Sequence, residues 1–239
     1  MVILPGVGDG LQTVKGMALP FALMYRTLAK DFTVYVFSRR RDLPSWMTTR
    51  EMAEDLNSAM EALGLTSAAV VGVSQGGMIA QWLAIDHPDK VKKLVLVVTA
   101  SRPNAVLKKV ITRWIRMASR DDYKAIMLDT ADRSCSAKRI RQSRLIYGML
   151  GSVGRPRSFD RFVAQARSCL THDAYDALGR ISCPVLVIGG TDDKIVTPRA
   201  STEMAARIPD CRIFVYAGLG HGLYEEAPDF LERVKRFCR

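Results

Sequence analysis

Three short segments of this sequence combine glycine with a side chain able to act as nucleophile, acid or base. Residues 72–76 read Gly-Val-Ser-Gln-Gly, with Ser74 at the centre of a G-x-S-x-G pattern. The acids Asp192 and Asp193 follow a Gly-Gly pair, and His221 lies between two further glycines. Such residues can together attack a carbonyl group, because the histidine takes the serine proton while the carboxylate orients the imidazole.

Each segment taken alone also has an ordinary structural interpretation. G-x-S-x-G recurs by chance in glycine-rich turns, a lone histidine among glycines fits a surface loop, and acids after a strand fit an Asx turn. The joint pattern is more specific, because serine, acid and histidine follow in an order known from hydrolytic triads. The sequence therefore predicts a triad of Ser74, His221 and either Asp193 or Asp192.

The elements that would position these residues are short strands alternating with helices. Their alternation predicts an α/β fold with a mostly parallel, doubly wound sheet, at whose carboxyl edge the three segments would meet. Helical patterns lie at 13–29, 49–63, 75–86, 198–208 and 228–237, and Thr48 and Glu51 have the spacing of a capping box before the second of them. The predicted strands are Val2–Leu4, Thr33–Phe37, Ala68–Val73, Lys93–Val97, Val185–Ile188 and Arg212–Tyr216.

Residues 102–179 interrupt this alternation with helical patterns alone. We predict helices at 104–118, 121–132, 137–150 and 158–170, and no strand. An all-helical insertion between two strands of a parallel sheet is typical of a cap over the carboxyl edge. The predicted organisation is therefore a core of residues 1–101 and 180–239 with a helical cap of residues 102–179.

Composition narrows the class of protein. The chain has 239 residues, 48% of them hydrophobic, which is enough to bury a core without disulfide or metal. Its five cysteines form no C-x-x-C pair, which argues against a zinc site and favours reduced thiols in a cytoplasmic protein. No apolar run approaches the length of a membrane span, and the first residues lack a secretory signal pattern.

The sequence resembles the α/β-hydrolase superfamily, which includes small esterases, lactonases and enol-lactone hydrolases. The resemblance covers nearly the whole chain: Leu4-Pro5-Gly6-Val7 as the oxyanion loop, the elbow around Ser74, and the segments 80–84, 86–91, 181–190 and 218–222. It implies that Ser74 is the nucleophile, His221 the base and Asp193 the acid. It also implies an oxyanion hole of the Val7 and Gln75 amides, elbow glycines at Gly72 and Gly76, and no metal or organic cofactor.

Two departures from that family concern the start of the sequence. Pro5-Gly6 stands where relatives usually have His-Gly, which implies a changed loop. The N-terminal hairpin that most relatives have is also lacking, so Thr33–Phe37 is expected at the sheet edge, where a homodimer could form. The run Ser38-Arg39-Arg40-Arg41-Asp42 that follows is read as a solvated charge run that blunts this edge, with contact to an anionic substrate as the alternative.

The other two histidines are expected to have structural or surface roles. His87 precedes a proline in a helix-to-strand connection far from the carboxyl edge. His172 lies where the predicted cap returns to the core, so contact with the substrate is an alternative for it. Aliphatic and methionine side chains of the cap are expected to form its core or to line a substrate pocket: Ile111, Ile115, Met117, Met127, Met149 and Leu150.

The predicted activity is that of a serine hydrolase which cleaves a small-molecule ester or lactone through an acyl-enzyme intermediate. Alternatives are acyl transfer, perhydrolysis or carbon–carbon hydrolysis on the same fold, and a binding or signalling protein that acts through its cap. The chain carries a net charge of +11, and residues 101–180 hold 17 Lys and Arg against 7 Asp and Glu. This basic cap is either a solvated face or a surface that steers anionic substrates; no nucleic-acid partner is expected.

Overall fold

The computed structural model describes residues 1–136, 139–140 and 154–239. Most of the predicted helix 137–150 therefore lies outside the described residues, and so do Met149 and Leu150. Within the described part of the chain, no helix combines the length and the apolar character needed to cross a bilayer.

The strands of the described residues are β1 (Val2–Leu4), β2 (Tyr35–Val36), β3 (Ala68–Val73), β4 (Val91–Val97), β5 (Val185–Gly190) and β6 (Cys211–Tyr216). They form one sheet in the order β2-β1-β3-β4-β5-β6, and all the pairings among them are parallel. This confirms the predicted fold class. The edge position of β2 agrees with expectation, although this strand is shorter than predicted.

Helices cover both faces of this sheet, which explains why β3 and β5 are buried along their whole length. The helices of the core are α1 (Ala18–Met24), α2 (Thr49–Ala62), α3 (Gln75–Asp86), α7 (Pro198–Ala205), α8 (Leu223–Glu226) and α9 (Phe230–Cys238). Alternate strand residues divide between the two faces: Val70 packs with α2 and α3, whereas Val71 packs with α9.

Three described helices follow β4 and precede β5, and no described residue between 102 and 179 is in a strand. They are α4 (Ala105–Ala118), α5 (Tyr123–Ser134) and α6 (Asp160–Thr171). The side chains of Asn104 and Asp122 accept hydrogen bonds from the first turns of α4 and α5. The buried faces of the three helices pack together with Met78 of α3, so the insertion and the core share one apolar cluster.

The helix predicted at 13–29 is wrong in its extent. The structure has only the short α1 and a 3-10 turn at Leu28–Lys30 there, with Gly16 at a φ of +80° before them. None of the α1 residues is buried, and a helix without a buried face lacks the packing that normally stabilises it. The capping box at Thr48 and Glu51 is confirmed. The one-turn helix α8, just after His221, has no counterpart among the predictions.

Candidate active site

Ser74 occupies a strained turn between β3 and α3. Its φ of 54° and ψ of −119° lie outside the regions that side chains favour. Its backbone is fixed on both sides: its N–H donates to the carbonyl of Val97 at 2.9 Å, and its carbonyl accepts the Thr99 hydroxyl at 2.6 Å. Strain of this kind persists only where the surroundings determine the conformation, and here it projects Oγ from the edge of the sheet.

The glycines on either side of Ser74 are required by close backbone contacts. A Cβ atom on Gly72 would lie 2.5 Å from the Cα of Gly77, and one on Gly76 would lie 2.2 Å from the carbonyl oxygen of Leu4. Both distances are far below van der Waals contact. The elbow therefore needs glycine at both predicted positions for packing, independent of any chemistry at the serine.

Ser74, His221 and Asp193 form a continuous hydrogen-bonded chain. Nε2 of His221 lies 2.9 Å from Oγ of Ser74, and Nδ1 of His221 lies 2.9 Å from Oδ2 of Asp193. The imidazole and the Asp193 carboxylate are both buried, whereas Asp192 is exposed and accepts the neighbouring Thr191 hydroxyl. Of the two acids that the sequence left open, the structure brings Asp193 to the histidine.

Asp193 is held as an anion by its surroundings. Burial raises the pKa of this carboxyl, but the nearby imidazole and several hydrogen bonds outweigh it, so the net pKa is below its ordinary value. Two of these bonds come from the amides of Ile195 and Val196, which donate to Oδ1 at 2.8 and 3.0 Å. An ionised carboxylate here fixes the ring so that Nε2 faces Ser74, and it stabilises the positive charge when the ring accepts a proton.

Val7 and Gln75, whose backbone amides are the predicted oxyanion donors, each begin a helix. Gln75 is the first residue of α3, and Val7 begins a 3-10 helix at Val7–Gly10. Neither amide donates to an acceptor among the described residues, as is usual for the first N–H groups of a helix. A Cβ on Gly6 would lie 3.2 Å from Cβ of Ser74, so the loop before Val7 runs directly past Ser74.

A cavity of about 370 Å³ opens at Ser74 and His221. Its described lining contains no Lys or Arg, and the single acid in it, Asp9, is paired with Arg161. Side chains of the core and of the insertion both contribute apolar surface: Val7, Leu11, Met17, Phe21, Trp114, Met127, Phe162 and Ile195. The cavity suits a small, largely apolar group beside Ser74.

Arg39 is the residue that sequence reasoning misplaced. The run 38–42 was predicted to be solvated, but only Arg40, Arg41 and Asp42 are exposed, and Arg39 is buried. Its guanidinium lies near the carboxylate of Asp9, with Nη1 and Oδ2 3.9 Å apart. Three consecutive arginines give no local signal for which one turns inward; Asp9, an acid in the oxyanion loop, is the signal that could have been used.

His172 and His87 lie away from the cavity. His172 is buried with Nδ1 2.8 Å from the Thr49 hydroxyl, and burial lowers its pKa to about 3. His87 contacts the carboxylate of Glu54 at 2.9 Å. Neither ring lines the cavity at Ser74. Among the described residues, no three His, Cys, Asp or Glu side chains gather into a group that could hold a metal ion.

Comparisons with known proteins agree with this fold. The model of the alpha/beta hydrolase family matches residues 1–234. A protein named carbamate hydrolase RutD from Caulobacter segnis is 30% identical, over 93% of this chain and 87% of its own length. A pimeloyl-[acyl-carrier protein] methyl ester esterase from Chromobacterium violaceum is 29% identical, over 92% and 86%. The solved enol-lactonase from Burkholderia xenovorans LB400 superposes with a TM-score of 0.84 at 21% identity, over 99% and 90% of the two chains.

Proposed function

The chain belongs to the alpha/beta hydrolase family, and from this premise we propose that it is a serine hydrolase of small-molecule esters or lactones. The hydrogen-bonded chain from Asp193 through His221 to Ser74 is the observation that carries the proposal. Relatives named as carbamate hydrolase and as esterase support a hydrolase activity. The proposed function adds the ester or lactone bond and the role of each residue.

Acylation begins when Oγ of Ser74 attacks the substrate carbonyl and its proton passes to Nε2 of His221. The carbonyl oxygen becomes negative and accepts hydrogen bonds from the amides of Val7 and Gln75, which lack other described partners. As the tetrahedral intermediate collapses, the bond to the leaving oxygen breaks and His221 gives its proton to that oxygen. The products of this half-reaction are an alcohol and an ester of Ser74.

Deacylation repeats these steps with water as the nucleophile. His221 takes a proton from water, the hydroxide adds to the acyl carbon, and the same two amides stabilise the oxyanion. The bond to Oγ then breaks, Ser74 regains its proton from His221, and the carboxylic acid leaves. Asp193 remains ionised throughout, because it orients the imidazole and offsets its charge but takes no proton.

We expect a neutral, largely apolar acyl group rather than an anionic one. The described lining of the cavity offers a carboxylate or phosphate no cation. On α4, Trp114 faces the cavity and is buried, while Lys108, Lys109, Arg113 and Arg116 are exposed. At 100° per residue these cations lie about 100° to 160° around the helix from Trp114. For α4, the solvated-face interpretation is therefore favoured over steering towards Ser74.

A carbamate is the second candidate substrate class. The relative named carbamate hydrolase RutD covers nearly the whole chain at 30% identity. A carbamate carbonyl can react with the same nucleophile and the same oxyanion amides. The proposed chemistry then differs only in the leaving group or in the carbamoyl group that Ser74 carries.

The proposed function is tested by labelling and turnover of the wild type and of Ser74→Ala. A fluorophosphonate probe should label the wild type and not the variant, and short p-nitrophenyl esters, a simple lactone and an aryl carbamate should rank the substrate classes. Adding an alcohol as competing acceptor separates acyl transfer from hydrolysis. A folded wild type that neither reacts with the probe nor turns over any of these substrates would contradict the proposal and favour a binding role.

A further inference from the structure

One buried guanidinium connects the two segments that carry the candidate oxyanion amides. Nη2 of Arg39 donates to the carbonyl oxygen of Pro5 at 2.5 Å and to Oε1 of Gln75 at 3.0 Å. Pro5 lies two residues before Val7, whose amide is one candidate donor, and Gln75 supplies the other. Two hydrogen bonds that share one nitrogen atom therefore link the two segments.

Asp9 holds the far end of the same loop. It is part of the 3-10 helix that begins at Val7, and its carboxylate accepts the Ser38 hydroxyl, the Arg39 amide and the Gln165 side chain. The carboxylate also offsets the buried charge of Arg39. Arg39 thus contacts both ends of the loop from Pro5 to Asp9. Its guanidinium donates to the carbonyl of Pro5, and its amide and its positive charge interact with the carboxylate of Asp9.

Helix α6 of the insertion is bonded to both sides of this arrangement. Nε2 of Gln75 donates to the carbonyl of Gln165 at 2.7 Å and to the Ser168 hydroxyl at 2.9 Å. Arg161 forms an ion pair with the carboxylate of Asp9 at 2.5 Å. A shift of α6 would therefore move the loop that carries Val7 and the Gln75 side chain together.

We propose that Arg39 is a positioning residue that sets the spacing of the Val7 and Gln75 amides and couples it to helix α6. The inference rests on the proposed function, because it assigns a role to those amides during turnover. Arg39 is absent from the described lining of the cavity, so it acts through the loop and Gln75 rather than on the substrate. Buried ionic networks of this kind add little net stability compared with apolar packing, which agrees with a positional role.

The variant that tests this is Arg39→Lys, with Arg41→Lys as the matched control on the exposed neighbour. Lysine keeps the positive charge opposite Asp9, but its side chain is shorter and ends in a flexible ammonium instead of a planar guanidinium, so we expect it to hold Pro5 and Gln75 less firmly. With a p-nitrophenyl ester we expect kcat to fall about 10- to 100-fold while KM changes less than about threefold, because the oxyanion forms only in the transition state. Arg41→Lys should match the wild type.

The binding affinity of an alkylboronic acid distinguishes a positioning role of Arg39 from a merely structural one. The tetrahedral adduct of the boronic acid on Ser74 uses the oxyanion hole, so Arg39→Lys should weaken its binding by a factor similar to the loss in kcat. Counting reactive sites with a fluorophosphonate corrects for unfolded molecules. If Arg39→Lys folds poorly, Gln75→Met removes the same bridge from the other side and should give the same pattern.

These experiments distinguish a failure of the role proposed for Arg39 from a failure of the proposed hydrolase function. Wild-type kcat and boronic acid affinity in a folded Arg39→Lys protein, or a loss confined to KM, would overturn the positioning role and leave the serine hydrolase intact. A wild type that no probe labels would contradict the proposed function itself. A parallel loss of kcat and of boronic acid affinity, absent from Arg41→Lys, supports the inference.

Discussion

Gly76 packs so closely against Leu4 that no side chain can occupy its position. A Cβ there would lie 2.2 Å from the carbonyl oxygen of Leu4 and 2.7 Å from that of Pro5. The first turn of α3 is thus pressed against the end of β1, where the loop to Val7 begins. This backbone contact places Ser74 and that loop side by side.

Gly76→Ala should therefore lose activity through backbone displacement. Because the obstacle is main chain, either α3 or the loop must move, and a shift near 1 Å at a reacting centre costs on the order of 100-fold in rate. We expect kcat for a p-nitrophenyl ester to fall by about that factor and thermal stability to drop. Gly179→Ala is the control, because its Cβ would only reach the Arg207 carbonyl at an ordinary 4.0 Å; equal behaviour of the two variants would contradict the argument.

The two adjacent acids give a matched pair for the second prediction. Asp193→Asn should reduce kcat by about 10³- to 10⁴-fold, because an amide favours the wrong imidazole tautomer and cannot offset the charge of the protonated ring. Asp192→Asn should stay within about twofold of the wild type, since that side chain is exposed and bonded to the neighbouring Thr191. Steady-state kinetics on both variants test which acid acts with His221. A large loss of kcat in Asp192→Asn, with little loss in Asp193→Asn, would assign that role to Asp192.

The sheet could be predicted from the sequence, because its strands are short apolar runs such as Ala68–Val73 that alternate with helical patterns. The environments of three residues could not be predicted in this way. Asp192 and Asp193 share one loop, and the choice between them depends on the Ile195 and Val196 amides that bind one carboxylate. Arg39 is buried because Asp9, 30 residues earlier in the chain, offers it a buried carboxylate. A pairing between residues so far apart in the chain produces no periodic pattern in the sequence, so it cannot be predicted from periodicity.

The cavity should set the size of the acyl group, which is the third prediction. Met127 of α5 lines it, whereas Met117 of α4 lies in a separate outer hollow among basic side chains. Met127→Trp should therefore shift the preferred ester to shorter chains, with kcat/KM for long-chain esters reduced about tenfold or more relative to acetate. Met117→Trp is the control of equal bulk. Unchanged chain-length profiles for Met127→Trp would place the acyl group elsewhere.

The fourth prediction is that salt changes kcat/KM for neutral and for anionic esters by the same factor. The exposed cations of α4 face away from the cavity, so their field is screened by solvent before it reaches Ser74. The ratio of kcat/KM for a succinyl half-ester to that for a neutral ester of the same length should stay constant from about 0.05 to 0.5 M NaCl. If this ratio falls steeply with salt, and if its salt dependence disappears in Lys108→Glu, the steering interpretation would be supported instead.

Acid should destabilise this protein through His172, which is the fifth prediction. Burial holds the pKa of this imidazole near 3 in the folded state, against about 6.5 when unfolded. Between these values the unfolded chain binds a proton that the folded one does not, so stability is full above pH 6.5 and is lost as pH falls. The cost is roughly 1 kcal/mol for each pH unit below 6.5.

His172→Gln isolates this effect, because every other titrating group is common to both proteins. Urea unfolding at pH 7.5, 6 and 5 should show the stability advantage of the wild type shrinking as the solution becomes more acidic. The ring packs edge-on against Trp82 and bonds to Thr49, so the variant is expected to be less stable at pH 7.5. A difference between the two proteins that is independent of pH would mean that His172 gains its proton without unfolding.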